Sequence, residues 1–282
     1  MRTLIVLFAL ATAYPAAARL AFHTVHKGEP LPGSELCFSR IDPKAPSPIL
    51  KYFSGAPIRC MSADLVYDVP LGKWTYFARN PRGYVSRHRV LFSYAGGPEN
   101  TYSGSEMEMD EAAYVDFADV QLEAGERAYA VVGPTSERLQ LVIPLLDGEA
   151  TVMVPPNAVV IPVIAQPGSI SRVGTPMKLG ATELRKARFD GGGRTIIAWS
   201  KVDAGTPMER FKTLRDIAAP EVVVTTAKGE ELQPVYPIVW GHDTQETMQF
   251  FVNVPPGDVR VTLRGDAWTG ATVVAHGDGT VV

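Results

Sequence analysis

The sequence contains few of the residues from which metal and redox sites are built. Its 282 residues include 2 cysteines and 5 histidines, and neither Cys-x-x-Cys nor His-Glu-x-x-His occurs. It also lacks an excess of one charge, because 27 Lys and Arg are balanced by 30 Asp and Glu. That balance excludes the strongly basic surface of most nucleic-acid-binding domains. We therefore predict no metal site, no cofactor and no nucleic-acid partner.

Long apolar runs without charge or proline are absent except at the N-terminus. After Arg2, the segment 4–13 is apolar apart from Thr12, and Ala16-Ala17-Ala18 places small residues where a signal peptidase cuts. The run is about half of the ~20 residues that a membrane-spanning helix needs. We interpret residues 1–18 as a cleaved signal peptide, with a buried N-terminal strand or helix as the alternative. This predicts a periplasmic or extracellular protein whose mature chain has no transmembrane segment.

The two cysteines lie close together in the chain. In an oxidising compartment we expect Cys37 and Cys60 to form a disulfide. The closed loop of about 24 residues would stabilise the fold by roughly 3 kcal/mol in the chain-entropy model. The alternative is a pair of buried free thiols.

Helical periodicity is nearly missing, whereas strand signals dominate. Runs rich in β-branched residues are separated by Gly, Pro, Asn and Asp at roughly 8–12-residue intervals, which is typical of a β-sandwich or barrel. The clearest runs are 139–143, 159–164, 195–199 and 221–225. One short helix is predicted over 206–218, because Thr206 suits the N-cap, Pro207 suits the first turn and Pro220 ends it.

A short pattern occurs three times. Val69-Pro70-Leu71-Gly72, Val154-Pro155-Pro156-Asn157 and Val254-Pro255-Pro256-Gly257 each separate two strand-like runs. Proline restrains φ, and Gly or Asn accepts a positive φ, so each copy is interpreted as a strand, a tight turn and a strand. The copies start 85 and 100 residues apart, close to the ~100 residues of one immunoglobulin-like sandwich. We predict that each turn joins two adjacent antiparallel strands at equivalent places in separate sandwiches. The alternative is three unrelated hairpins.

Part of the chain resembles a known family. Gly28-Glu29-Pro30-Leu31-Pro32-Gly33-Ser34-Glu35-Leu36 resembles the opening of carboxypeptidase-regulatory, or prealbumin-like (transthyretin-like), β-sandwich modules. The segment 69–77 resembles their closing strand, turn and aromatic strand, and Gly83-Tyr84-Val85 resembles the Gly-Tyr pair that follows. The segment 220–257 is similar without the opening, and the middle segment matches only at its turn, where Asn157 replaces Gly. The resemblance implies non-catalytic modules of secreted proteins and carries over no catalytic residue.

Charged and aromatic side chains are unevenly distributed. Residues 69–98 contain five Lys and Arg residues and no acid. Residues 90–126 contain nine acids and no Lys, Arg or His. We interpret them as solvated faces that partly neutralise each other, with Ca²⁺ binding by the acids and glycan or lipid-headgroup binding by the bases as alternatives. Trp74, Tyr76 and Tyr84 form the candidate ligand surface. Trp74 and Tyr76 share a strand face, which is core if buried and a stacking platform for sugars if exposed.

The predicted fold is all-β, with two or three tandem immunoglobulin-like or prealbumin-like sandwiches and one short helix. Its expected parts are a signal peptide (1–18), a first sandwich (19–95), a second β module (96–178) and a third sandwich (179–282). No motif places a nucleophile beside a base, so no catalytic residue is predicted. The predicted function is a secreted, non-catalytic binding or structural protein of the cell envelope or exterior, with a protein or glycan partner. The alternatives are a carbohydrate-binding accessory protein and a hydrolase with a site at a domain junction.

Overall fold

A computed structural model describes most of the chain beyond the predicted signal peptide. The described residues are 17–40, 50–53, 55, 58–63, 66–70, 72–86, 90–94, 101–133, 141–189, 194–202, 221–235, 246–264 and 268–276. Within them the fold is all-β, which confirms the predicted class, and the one helical element is a 3₁₀ turn at Leu50–Tyr52. None of these residues forms a helix long and apolar enough to span a bilayer. The helix predicted over 206–218 lies outside the described residues.

The described strands form five sheets, which we group in chain order into three modules covering residues 17–111, 113–186 and 194–276. The strands of module 1 are β1 (Ala17–His26), β2 (Glu29–Pro30), β3 (Glu35–Arg40), β4 (Arg59–Ser62), β5 (Val66–Pro70), β6 (Gly72–Asn80), β7 (Tyr84–Ser86), β8 (Val90–Tyr94) and β9 (Thr101–Glu111). β9, which begins beyond the boundary expected at residue 95, pairs with β1 and β7 and is therefore grouped with module 1.

Modules 2 and 3 follow with fewer strands. The strands of module 2 are β10 (Ala113–Asp116), β11 (Arg127–Val132), β12 (Leu141–Pro144), β13 (Thr151–Val154), β14 (Val159–Gln166), β15 (Ser169–Val173), β16 (Met177–Lys178) and β17 (Leu184–Lys186). Those of module 3 are β18 (Arg194–Val202), β19 (Glu221–Thr226), β20 (Glu231–Leu232), β21 (Glu246–Val254), β22 (Val259–Arg264) and β23 (Trp268–His276). β17, which begins beyond the boundary expected at residue 178, pairs with β10 and is therefore grouped with module 2.

The three modules share one pairing scheme. The first strand of each pairs antiparallel with the strand before the Val-Pro turn, namely β1 with β5, β10 with β13 and β18 with β21. A second strand pairs antiparallel with two others, namely β3 with β4 and β6, β11 with β12 and β14, and β19 with β20 and β22. The last strand, β9, β17 or β23, returns to pair with the first. This equivalence supports the internal repeat.

The Val-Pro turns lie at equivalent places, but they do not join adjacent antiparallel strands. Each leaves a strand paired with the module's first strand and enters one paired with its second, as β13 pairs with β10 and β14 with β11. That part of the prediction was wrong. A proline donates no ladder hydrogen bond, so the Val-Pro segment ends one pairing and lets the chain enter another, within the same sheet in module 1 and in a different sheet in modules 2 and 3. In the second and third copies, Asn157 (φ 62°) and Gly257 (φ 108°) take the expected positive φ.

Buried residues form a core in each module. The module 1 core lies inside its nine-stranded sheet and includes Phe22, Leu36, Tyr76 and Met107. The module 2 core lies between the sheets β13-β10-β17 and β12-β11-β14-β15, and the module 3 core between β21-β18-β23 and β20-β19-β22. Burial of these apolar surfaces supplies the main stabilisation, at about 25 cal/mol per Å² removed from water.

The sheet β12-β11-β14-β15 of module 2, which we call the middle sheet, is buried on both faces. Along β11, Ala128 and Ala130 face the module 2 core. Tyr129 and Val131 face a second cluster on the opposite side. We call that second group the junction cluster; its members are Leu50, Tyr52, Phe53, Tyr129, Val131, Val142, Ile161, Val163, Ala165, Ile170, Ile197 and Phe250. Because successive side chains of a strand point to opposite faces, such a strand needs apolar residues throughout, as β11 and β14 have.

Candidate functional site

The three aromatic residues of the predicted ligand surface converge on the module 1 core. Tyr76 is 2% exposed, and its ring lies 4.8 Å from that of Phe22. Trp74 and Tyr84 are half-buried and pack against the same core, and the guanidinium of Arg40 lies 6.0 Å from the Trp74 ring centre. Burial gives Tyr76 a packing role and leaves only parts of Trp74 and Tyr84 open to solvent. A glycan-stacking surface here stays a prediction.

The predicted disulfide is present between Cys37 and Cys60. The two residues face each other across the antiparallel pair β3–β4, with their Cα atoms 4.0 Å apart. Cys37 is fully buried and Cys60 half-buried. Both pack with Phe77 into the module 2 core, whereas Leu36, next to Cys37 on β3, faces the module 1 core. The disulfide therefore lies where modules 1 and 2 meet.

The disulfide also prevents the two cysteines from binding a metal ion. Among the described residues, Glu35, Cys37 and Cys60 form the one group of three potential ligands whose atoms lie close together, within 4.8 Å. A cysteine binds a metal as a thiolate, and both sulfur atoms here are bonded to each other. This group is therefore structural.

The loop closed by the disulfide reaches across to module 2. Its 3₁₀ turn places Leu50, Tyr52 and Phe53 in the junction cluster, over the outer face of β11 and β14. Phe53 is fully buried and meets Tyr129 edge-on, with ring centres 5.1 Å apart. Ile197, from module 3, joins the same cluster. Residues from all three modules thus share one buried cluster, and the disulfide-closed loop supplies part of its cover.

Tyr129 anchors this loop with its hydroxyl as well as its ring. The N–H of Gly55 donates a hydrogen bond to the Tyr129 hydroxyl at 3.3 Å. Burial raises the pKa of Tyr129 above its usual value, and the Gly55 hydrogen bond opposes that rise only in part. The hydroxyl therefore stays protonated and holds the loop across the physiological pH range.

A half-buried arginine on β6, at the edge of β3 opposite to β4, links modules 1 and 2. The Nε of Arg79, on β6, donates to Glu35 at 2.9 Å, and its Nη1 donates to Glu149, in the loop between β12 and β13, at 2.6 Å. In the turn between β6 and β7, Gly83 has φ 93°, and an added Cβ would lie 2.7 Å from the hydroxyl of Tyr114. Only glycine combines this backbone conformation with such a close approach. The Gly-Tyr pair seen in the sequence thus marks the junction.

A second ion pair ties β15 to the loop before β11. Arg172 donates to the Gln121 carbonyl at 2.6 Å and to the Glu126 carboxylate at 3.2 Å. Glu126 also accepts the N–H of Glu123 at 3.0 Å. The pKa of Glu126 is lowered by the Glu123 N–H first and by the Ser171 hydrogen bond second; burial opposes this, and the hydrogen bond and charge of Arg172 lower the pKa further.

Replacing this carboxylate, as Glu126→Gln, is expected to flatten the acid side of the stability curve. A carboxyl group whose pKa is lower in the folded than in the unfolded state stabilises the fold above its ordinary value of 4.5 and loses that contribution as pH falls through the folded value. Denaturant unfolding from pH 7 down to pH 3 measures the difference. The exposed neighbour Glu123, changed to Gln, is the matched control and should follow the wild-type curve. Parallel curves for the wild type and Glu126→Gln would contradict the assignment.

His26 makes structural contacts, whereas His23 lies on the surface. His26 donates its Nδ1 proton to the Met109 carbonyl at 2.7 Å, and its ring centre lies 4.7 Å from that of Tyr84. His23 is exposed, opposite Glu106 across the parallel pair β1–β9. Along β9, Glu106 and Glu108 alternate with inward Met107, so the acidic stretch here follows the solvent side of the strand. The interpretation of the acids as a solvated face fits this alternation.

Arg194 was not singled out by the sequence pattern. It begins β18, is 5% exposed, and donates through Nη1 to the carbonyl oxygen of Gly257 in the third Val-Pro turn. Its Nε and Nη2 have no hydrogen-bond partner among the described residues. A buried arginine is retained where its charge-assisted hydrogen bonds hold a backbone segment in place, which makes this residue a clamp on the turn between β21 and β22.

Comparisons with known proteins add little to this geometry. No family model matches the chain, and no curated protein matches it. Among solved structures, the full-length major pilin SpaD from Corynebacterium diphtheriae is similar, with 11% sequence identity and a TM-score of 0.22. The match covers 92% of this chain and 56% of the pilin chain, so this chain spans about half the pilin's length. The functional proposal below therefore rests on the residues of this chain alone.

Proposed function

We propose that this protein is exported and acts as a non-catalytic binding or structural protein of the cell envelope or exterior, built from prealbumin-like sandwich modules. The observation that carries the proposal is the Cys37–Cys60 disulfide at the junction of modules 1 and 2. Structural disulfides persist in oxidising compartments. The apolar run with small residues that precedes Arg19 supports export through a cleaved leader.

The contacts of the chemically capable side chains support a role without catalysis. Both cysteines are consumed in the disulfide, and His26 is held between a backbone carbonyl and a tyrosine ring. Arg79 is engaged by two carboxylates. A general base or nucleophile has to be free to meet a substrate, whereas these groups hold sheets and modules together. Three modules sharing a buried cluster suit a protein that presents surfaces at a set spacing.

Export is expected to remove residues 1–18 and leave Arg19 at the N-terminus. The ladder between β1 and β5 would lose the pairs of Ala17 with Pro70 and Ala18 with Val69, and would keep those from Arg19 to Ala21. Mass spectrometry of protein recovered from the periplasm or medium measures the new N-terminus. A variant with Ala16 and Ala18 changed to Asp should block cleavage and serves as the control. Mature protein that still begins with Met1 would contradict the proposed location.

The absence of catalysis is tested with the same purified mature protein. Its turnover of general esterase, glycosidase and peptidase substrates should not exceed that of a heat-denatured sample. Activity that rises in proportion to protein concentration, and that one substitution abolishes without loss of folding, would contradict the proposal. It would favour the hydrolase alternative.

A further inference from the structure

Among the described strands, one position that modules 1 and 2 fill has no strand in module 3. In module 1, β6 pairs on one side with β3 and on the other with β7 and β8. In module 2, the equivalent strand β14 pairs on one side with β11 and on the other with β15 and β16. In module 3, β22 pairs with β19, and within the described part of the chain no strand pairs with its other edge.

The length of the connecting segments explains the difference. The strands that cover β6 lie within residues 81–100, and those that cover β14 lie within 167–183. Between β22 and β23 the chain has only residues 265–267, which is too short for a turn and another strand. The direction of the last strand changes accordingly, since β9 and β17 run parallel to β1 and β10, whereas β23 runs antiparallel to β18.

An open edge offers specific backbone chemistry. Every second residue of an edge strand directs its N–H and C=O groups away from its one partner, and an extended segment that adds there satisfies them. β22 is six residues long, long enough to pair with such a segment over several ladder bonds. Modules 1 and 2 satisfy the same edge with their own antiparallel strands, in which Val85 and Ile170 are buried.

The side chains of β22 indicate the chemistry of the added strand. Val259 and Val261 pack against the module 3 core, whereas Arg260 and Thr262 are exposed on the outer face. An added strand would place apolar residues beside the valines and its outward residues beside Arg260. Opposite charges on neighbouring strands stabilise the pair, and like charges destabilise it. Pairing of β22 with β22 of a second copy would bring two Arg260 side chains to one face, so charge favours an acidic partner strand.

We propose that the outer edge of β22 is a docking site for an extended segment of a partner protein, added antiparallel, in which β-branched apolar residues alternate with acidic ones. The proposal rests on the proposed function and names where that function takes its partner. The segment completes in module 3 the strand position that β7 and β8 fill in module 1 and that β15 and β16 fill in module 2.

The test uses the full mature chain and two synthetic peptides, one of alternating Glu and Val and one of alternating Lys and Val. Fluorescence anisotropy should show at least tenfold tighter binding of the Glu peptide. Hydrogen exchange should show new protection at residues 259–264. Arg260→Glu should weaken binding of the Glu peptide at least tenfold, because it reverses the charge that faces the peptide. Arg260→Gln, which removes the charge alone, should give an intermediate loss.

Arg185→Glu is the matched control. Arg185 lies on β17 and is exposed. Its substitution changes the net charge by the same amount as Arg260→Glu, so Arg185→Glu should leave binding of the Glu peptide within twofold of the wild type. Equal losses from the substitutions at positions 185 and 260, protection at another strand, or no binding of either peptide at millimolar concentration would overturn the proposal. Concentration-dependent self-association that protects 259–264 would assign the edge to a second copy instead. None of these outcomes alters export or the absence of turnover, which test the proposed function separately.

Discussion

Replacing both cysteines, as Cys37→Ala with Cys60→Ala, is expected to lower the free energy of unfolding by about 3 kcal/mol. The disulfide closes a loop between residues separated by 23 positions in sequence, and opening it restores the conformational freedom of that loop in the unfolded chain. The effect should also extend beyond module 1, because the loop carries Leu50, Tyr52 and Phe53 into the junction cluster. Chemical denaturation measures the stability, and hydrogen exchange shows where protection is lost.

Faster exchange is expected in β11 and β14 as well as in β3 and β4. The wild-type protein unfolded and refolded under reducing conditions should match the double variant, and the variant itself should not respond to reductant. A stability loss below about 1 kcal/mol, well under the loop-closure value, would contradict the proposed role of the disulfide-closed loop in holding modules 1 and 2 together. So would faster exchange confined to β3 and β4.

Truncating the buried aromatic of the loop, as Phe53→Ala, is expected to destabilise the protein by about 3–5 kcal/mol. Phe53 is fully buried, so the substitution removes its transfer free energy and leaves a cavity beside Tyr129. The loop then loses the edge-on contact between the two rings, and ring pairs of this kind contribute about 0.5–1.5 kcal/mol beyond buried area. Denaturant unfolding with two independent probes measures the loss.

The matched control for Phe53 is Leu184→Ala. Leu184 is 59% exposed on β17, and surface substitutions of this kind change stability by about 0.5 kcal/mol or less. Combining Phe53→Ala with the two cysteine substitutions should destabilise the protein by less than the sum of the separate effects, because both changes release the same loop. Equal effects of Phe53→Ala and Leu184→Ala would show that the loop does not stabilise the middle sheet.

The strands themselves could be predicted from local patterns. The β-branched runs at 159–164, 195–199 and 221–225 correspond to β14, β18 and β19, because side-chain periodicity and strand propensity act over a few residues. The disulfide was predicted from two cysteines close in sequence and from the oxidising compartment that the expected signal peptide implies. The triple Val-Pro pattern likewise marked equivalent places in the modules, because a proline at the end of a strand donates no further ladder hydrogen bond.

The candidate ligand surface shows why local pattern was insufficient. Trp74 and Tyr76 do share one face of β6, as the alternation predicts. Whether that face is core or solvent depends on Phe22 from β1 and Met107 from β9, which reach it only after the sheet curls. Burial of a strand face is a property of its non-local partners, so the sequence left both interpretations open.

The sequence by itself determined the fold class, the two cysteines that pair and the places where the chain turns, because backbone conformation and compartment chemistry are local or compositional. Only the tertiary structure decided which segments pack over which sheets and strand edges. The loop around Phe53 covers a sheet of another module, the Val-Pro turns pass from one strand pairing to another, and among the described strands β22 keeps an edge that its counterparts have covered. These features depend on which distant segments meet, and that is set by the packing of whole sheets against one another.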